Sequence, residues 1–335
     1  LRLVPAEDAL PGTILSEPAR RYLPRYGGKP GDRPVIFTAG DSGYRTALDL
    51  AAGGVAIAAI ADLRAAPEGE WPARALAAGI DVRPSTVITR TSGRLRVNGG
   101  HLAKVKNGKA GLNEPVACDT VLMSGGWTPS VHLFSQSRGK LAWDETLGAY
   151  LPGQSVERER SAGACRGRYG LAAALADGYH AGEQAAAEAM KHPASAALKG
   201  AKAPTRATSR AFGVVATETG TDGVIGASPH GRTPAFAKAL VDWKNAVTAK
   251  DIALATREGF RSIEHVKRYT TTGMATDQGK TSNMHGLGIV SEQLGQPVPK
   301  IGLTTFRPPF TPTTFGIFAG TARGDLFDPV RVTPI

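Results

Sequence analysis

Residues 267–283 read Lys-Arg-Tyr-Thr-Thr-Thr-Gly-Met-Ala-Thr-Asp-Gln-Gly-Lys-Thr-Ser-Asn, a stretch too polar for a core and too poor in proline for a linker. Three cations, three consecutive threonines, two carboxamides and two glycines fall together in it. Glycine lets a backbone approach an anion closely. Lys267, Arg268 and Lys280, with the Thr270, Thr271 and Thr272 hydroxyls and the Gln278 amide, are the donor types that phosphate oxygens accept from. The same residues also describe an ordinary ordered turn. A phosphate, a flavin or a partner surface is what such a loop suits.

The run continues a longer one, Val247-Thr248-Ala249-Lys250-Asp251-Ile252 and then Glu258 to Tyr269. Two further stretches accompany it: Leu122-Met123-Ser124-Gly125-Gly126-Trp127-Thr128-Pro129, continuing through His132 to Leu141, and Thr304-Thr305-Phe306-Arg307-Pro308-Pro309-Phe310-Thr311-Pro312. In this order they resemble the alpha subunit of heterotetrameric sarcosine oxidase and its relatives, the multi-subunit amine and imino-acid oxidases. The resemblance spans nearly the whole chain. It implies oxidation of a small secondary amine, sarcosine, to glycine, with transfer of the one-carbon unit to tetrahydrofolate and reduction of oxygen to hydrogen peroxide. It also implies beta, gamma and delta partner subunits, FAD and the amine pocket in beta, FMN at the alpha–beta interface, and NAD in alpha. This chain alone is then expected to be inactive toward amines. Relatives acting on proline, opines or N-methylglutamate share the architecture and stand as alternatives.

The resemblance assigns Arg268, Thr270, Thr271, Thr272, Gln278 and Lys280 to the FMN. NAD is expected at two glycine-rich strand ends, Ser124, Gly125, Gly126, Trp127 and Thr128 on one side and Gly163 and Ala164 on the other, where open α/β sheets place ligands. Flavin folds of this kind usually have Asp where Ala164 stands, which favours NAD over FAD here. His132 and His265 are the histidines inside these motifs, and a structural hydrogen bond is the expected role of each. Some relatives carry a [2Fe–2S] cluster in the helical module; this chain has no cysteine there, so no cluster is expected.

The elements that must position these residues follow from pattern. Val35 to Thr38 is a short apolar run ending in Ala39-Gly40-Asp41-Ser42-Gly43, then a helical segment to Ala52 and a second apolar run from Val55 that closes on Asp62. That is a βαβ unit with an acid at the second strand's end. A dinucleotide fingerprint wants Gly where Ser42 stands, so the unit reads either as a nucleotide site or as a structural Rossmann-like unit. Trp71 to Ala78 reads as a helix and Asp81 to Arg83 as a strand. Thr86 to Lys106 alternates like a meander, with Gly99-Gly100 and Asn107-Gly108 as hairpin signals. Asp119 to Met123 is expected to return the chain to a larger dinucleotide domain, and Leu171 to Ala189 to form its long closing helix. Phe236 to Trp243 reads as a helix. A further helix is N-capped by Thr248, with Asp251 three residues on, and stops at Gly259.

The fold class is α/β: a Rossmann-like, disulfide-reductase-type dinucleotide domain followed by a small helical module. The expected division is 1–190 as the dinucleotide domain with an inserted unit at about 30–115, 191–230 as linker, 231–290 as helical module and cofactor-facing loop, and 291–335 as connector to the aminomethyltransferase-like domain that the resemblance implies. The chain opens at Leu1, and the resemblance implies a glycine-rich fingerprint upstream and a folate-binding domain downstream that are not in it, so it is expected to be an internal portion of a longer polypeptide.

The 335 residues are long enough for two cores. A net charge of +11 invites nucleic acid, but the cations are scattered without an aromatic-interleaved stripe, and acidic partners or anionic cofactors explain them as well. Neither a membrane span nor a secretion signal is present in the pattern, so a cytoplasmic protein is expected. Cys118 and Cys165 are far apart and read as packed thiols, with no metal site implied. A self-contained pyridine-nucleotide reductase would need a redox dithiol or bound flavin, and a non-catalytic scaffold is a third possibility.

Overall fold

The computed structural model describes residues 3–5, 8–191, 238–319 and 333–334. Its centre is a parallel sheet in the order β1 (Thr13–Leu15), β9 (Thr120–Ser124), β2 (Pro34–Thr38), β3 (Ala59–Asp62), β4 (Val82–Arg83). Because strand side chains alternate, each strand serves two layers. Val35, Phe37, Ala59, Ala61, Val121 and Met123 point into one core. Ile36, Ile60 and Leu122 point into the other, where α1 (Ser16–Tyr26), α2 (Asp41–Ala52) and α3 (Glu70–Ala77) supply Ala19, Tyr44, Leu50 and Ala75. The first core is closed by an antiparallel meander of β5 (Thr86–Gly93), β6 (Val97–Lys106), β7 (Lys109–Ala110) and β8 (Glu114–Ala117), through Val87, Ile88, Leu102 and Cys118. This is the expected α/β architecture.

Two readings change. β9 pairs with both β1 and β2, so the Asp119–Met123 strand fills the middle of the same sheet instead of leaving it. Gly99 and Gly100 lie inside β6 opposite Ser92 and Thr91, and the chain reverses at Gly93–Arg96. A Cβ on Gly99 would crowd the Ser92 hydroxyl, so that glycine serves strand approach. Asn107 and Gly108 do make the β6–β7 turn, both with positive φ as a two-residue hairpin requires.

A short helix, α4 (His132–Gln136), and a hairpin, β10 (Lys140–Asp144) with β11 (Ala149–Gln154), lead to a 3-10 turn at Gly163–Arg166 and to α5 (Leu171–Ala189). The expected linker lies, beyond Lys191, outside the described residues. Phe236–Trp243 is not helical where it is described. Leu240–Asp242 is a strand, β12, paired with β13 (Val247–Thr248). The Asp242 carboxylate accepts from the Lys244 and Asn245 amides at 3.0 and 3.2 Å, an Asx turn that reverses the chain before a helix can form.

α6 (Ala249–Arg257) begins as expected, with Thr248 and Asp251 exchanging hydrogen bonds in a capping box. With α7 (Ile263–Thr270), α8 (Asn283–Leu294) and α9 (Val298–Ile301) it encloses a third core of Ile252, Ala255, Val266, Leu287 and Val290, into which β11 inserts Tyr150. Leu3 is buried in the sheet core and Val4 in the helical core, so the N-terminal segment touches both. Among the described residues no helix is long and apolar enough to cross a membrane.

Candidate functional site

The carboxyl ends of β2 and β9 lie where the strand order reverses, the place at which open α/β sheets bind ligands. The polar groups there are spent on one another. Ser42 and Ser124 share a hydrogen bond of 2.6 Å across the crevice. The Thr38 hydroxyl donates to the Gly40 carbonyl at 2.7 Å, and a Cβ on Gly43 would collide with it. Asp62 is fully buried and accepts from the Tyr44 hydroxyl at 2.7 Å and from Arg64 at 2.9 Å.

Arg64 also reaches Asp41, the first residue of α2, at 2.9 Å. Burial works against the guanidinium charge, yet the Asp62 and Asp41 carboxylates hold its pKa above the ordinary arginine range. An anion approaching this helix N-terminus would meet the Asp41 carboxylate before any free donor. The Asp41 carboxylate thus opposes a pyrophosphate at the β2–α2 turn, and both Asp62 oxygens already accept hydrogen bonds.

Beyond Ser124, Gly125 is buried, Gly126 takes φ +82°, and Trp127 is 38% exposed. Tyr169 donates to the Trp127 carbonyl at 3.4 Å and so joins this turn to the Gly163–Arg166 turn. There the Gly163 amide donates to Asp177 at 2.8 Å and Ala164 is exposed. Of the residues expected around NAD, Ser124 and Gly163 already have internal partners. The Trp127 carbonyl is likewise engaged by Tyr169, and Trp127 itself is the exposed residue of this turn.

The second gathering is a depression of about 350 Å³ lined by Glu264, Lys267, Arg268, Met274, Gln278, Thr305 and Arg307. Three quoted motifs interlock to build it. His132, 4% exposed, makes a 3.0 Å hydrogen bond to the Gln278 carbonyl and stacks on Phe306 at 3.8 Å between ring centroids. The Gln278 side-chain oxygen accepts from the Arg307 amide at 2.9 Å. Asn283 donates to Thr304 at 3.1 Å, and its side chain fills the space where Cβ atoms on Gly273 and Gly279 would sit.

Arg268 and Gln278 therefore come together at the depression as expected loop residues. The threonines do not offer free hydroxyls: Thr270 and Thr272 bond each other at 2.7 Å, Thr270 also reaches the Val266 carbonyl, and Thr271 donates to the Thr270 carbonyl. Lys280 is drawn elsewhere, to the Phe310 carbonyl at 2.5 Å and over the Phe310 ring at 4.2 Å. His265 sits on the exposed side of α7, against Phe260.

The sequence reading missed Glu264, Met274, Thr305 and Arg307. The available signal was Arg307, a lone cation between Phe306 and the Pro308-Pro309 pair. Lys267 is 8% exposed, donates to the Thr305 carbonyl at 2.7 Å and lies 3.9 Å from Glu264. Burial lowers its pKa, Glu264 partly restores it, and Arg307 and Arg268 lower it further. Three cations thus face one carboxylate, an arrangement that a bound anion would relieve. A phosphate group fits this donor set.

Neither cysteine is poised for redox chemistry. Cys118 lies in the sheet core, where burial first and then Asp119 push its thiol up to about 11. Cys165 donates to the Ala162 carbonyl in the 3-10 turn.

Residues 236–322 match the family model described as the sarcosine oxidase A3 domain. The chain is 37% identical over 328 residues to the sarcosine oxidase subunit alpha of Rhizobium meliloti (strain 1021), covering 97% of this chain and 30% of that protein. It is 36% identical over 332 residues to the sarcosine oxidase subunit alpha of Corynebacterium sp. (strain P-1), covering 97% and 33%. The chain thus spans about a third of the length of the curated relatives it matches. In fold it is similar to the crystal structure of L-proline dehydrogenase from P. horikoshii, with a TM-score of 0.60 over 96% of this chain and 56% of that one at 17% identity.

Proposed function

Since the chain belongs, along the segment it covers, to the sarcosine oxidase alpha-subunit family, we propose that it is the part of an amine-oxidising complex that holds an interfacial flavin. The whole complex would oxidise sarcosine with tetrahydrofolate and oxygen to glycine, methylene-tetrahydrofolate and hydrogen peroxide. The observation that carries the reading is the cluster of Lys267, Arg268 and Arg307 around a single carboxylate at the junction of three motifs.

When bound there, FMN would supply the electron transfer between the amine-oxidising centre and oxygen. The chain's own residues bind and orient it. Arg268 and Arg307 neutralise the phosphate and donate charge-assisted hydrogen bonds to it. Lys267, already tied to Thr305, adds fixed positive charge from the floor. Met274, half exposed at the rim, offers an apolar surface to a ring system.

NAD is proposed at the Gly125–Thr128 turn, at the carboxyl end of β9 where Trp127 is exposed, and not at the β2–α2 turn. The beta, gamma and delta subunits, and FAD with the amine pocket in beta, belong to the same reading. So do a cytoplasmic location, the expected domain boundaries and the inactivity of this chain without its partners.

The test is to purify the full-length protein with its co-expressed partners, release bound cofactors by denaturation and identify them by mass spectrometry, then assay sarcosine-dependent peroxide. FMN and NAD in the released fraction with peroxide formed only by the complex is the expected result. Release of neither cofactor, or sarcosine turnover by the chain alone, would overturn it. Proline in place of sarcosine as the better substrate would reassign the amine.

A further inference from the structure

The loop that forms the wall of the depression contains a backbone conformation that has to be held. Gln278 takes φ +49°, in the left-handed region that a residue with a Cβ rarely enters. Such residues persist where their surroundings over-determine them. Around Gln278 hydrogen bonds do so on every side: His132 Nε2 at 3.0 Å and Asn283 Nδ2 at 3.4 Å to its carbonyl, its own amide and side-chain nitrogen to the Ala275 carbonyl at 2.8 and 3.0 Å, and the Arg307 amide to its Oε1 at 2.9 Å.

A carbonyl only accepts, so the His132 nitrogen that faces Gln278 must carry a proton. The other ring nitrogen, Nδ1, is buried and has no hydrogen-bond partner. On one side the ring meets Phe306, stacked, and Phe310, edge-on.

From these contacts we infer that His132 is a positioning residue for the depression: through its Nε2 hydrogen bond it holds Gln278 in the left-handed conformation and so carries Gln278 and Arg307 to their places. The inference rests on the reading of that depression as the flavin site. His132 does not line the depression itself, and it acts through Gln278.

A second proton would place an N–H donor at Nδ1 against aromatic rings with nothing to accept it. The charged groups that face the imidazole are Lys280, which opposes that proton, and Asp277, which favours it, both on the loop; the 304–310 segment turns Phe306 and Phe310 to it. Burial leads the balance, and His132 titrates below its ordinary value. Acid therefore weakens the latch by linkage: burial outweighs the Gln278 hydrogen bond, which itself favours the proton, so the arrangement is most stable above the ordinary histidine pKa and loses stability as pH falls from there toward the lowered one.

The experiment uses the full-length protein assembled with its partners, as wild type, His132→Phe and His132→Gln. Phe keeps a stacked ring without a donor. Gln keeps a donor near the Nε2 position without a titrating group. Hydrogen exchange of the 274–280 and 304–310 peptides is followed from pH 5 to 8 after correction for intrinsic rates, and FMN content is read in parallel. In His132→Phe the Arg307 amide should exchange roughly tenfold faster at every pH, as expected for the loss of one buried hydrogen bond. Wild type should show an acid-dependent loosening that His132→Gln lacks.

An Arg307 amide as protected in His132→Phe as in wild type would overturn the inference, as would an unchanged acid step in His132→Gln. Should His132→Phe fail to assemble, the His132→Gln profile decides. If the amides respond as expected while FMN content is equal in wild type and His132→Phe, the positioning role stands and the flavin reading of the depression falls.

Discussion

The crevice at the ends of β2 and β9 and the depression beside α7 are both rich in polar side chains, and they are built in opposite ways. In the crevice Arg64 has two carboxylates, Asp41 and Asp62, each at 2.9 Å, and the two serine hydroxyls close on each other. In the depression the three lining cations have Glu264 as their one lining carboxylate, and Lys267 loses basicity first to burial and then to Arg307 and Arg268. Open α/β sheets place ligands at the first, yet its side-chain donors are already paired. On the proposed reading, unbalanced charge is the better guide to the flavin site, because an internally neutralised cluster has less to gain from a ligand.

Breaking the balanced site should cost stability and leave flavin binding alone. Asp62→Asn strands a largely buried Arg64 with Asp41 as its one remaining carboxylate, and a loss of about 3 kcal/mol is expected from the chemical-denaturation midpoint. FMN per folded complex should not change. Breaking the unbalanced site should do the reverse. Arg268→Ala or Arg307→Ala should weaken FMN binding by roughly ten- to a hundredfold, nearer the lower figure since both residues are exposed, with little change in unfolding.

Smaller effects sharpen the boundary between the two. Gly279→Ala puts a Cβ into the Asn283 side chain at φ +71° and should cost about 1–2 kcal/mol in thermal unfolding, with a parallel fall in FMN content. Thr248→Ala removes the α6 capping box for about 1 kcal/mol and leaves FMN content at the wild-type level. Lys280→Ala should also leave FMN content unchanged, because that ammonium belongs to Phe310. Loss of FMN in Lys280→Ala would move the site toward the 277–280 end of the loop.

The parts legible in the sequence are those set by local chemistry. An apolar run punctuated by Gly40 gave β2, α2 and β3, and Thr248 with Asp251 marked the start of α6. Phe236–Trp243 misled because its apolar spacing mimics a helix, while the decisive residue is Asp242, whose carboxylate turns the chain. Gly99 looked like a turn residue because glycine serves turns and close strand approach alike. The loop's cations were visible, but their directions were not. Lys280 and Lys267 both reach carbonyls of the 304–310 segment, and only packing of that segment on His132 decides which cations remain on the surface with Arg307.

The most direct measurement is the ratio of FMN to protein in the purified full-length complex for three forms: wild type, Asp62→Asn and the Arg268→Ala/Arg307→Ala double variant. Equal FMN in the first two and a loss in the double variant, at unchanged unfolding temperature of that variant, is the result that unbalanced charge at the depression predicts. Full FMN retained by a folded double variant would contradict it.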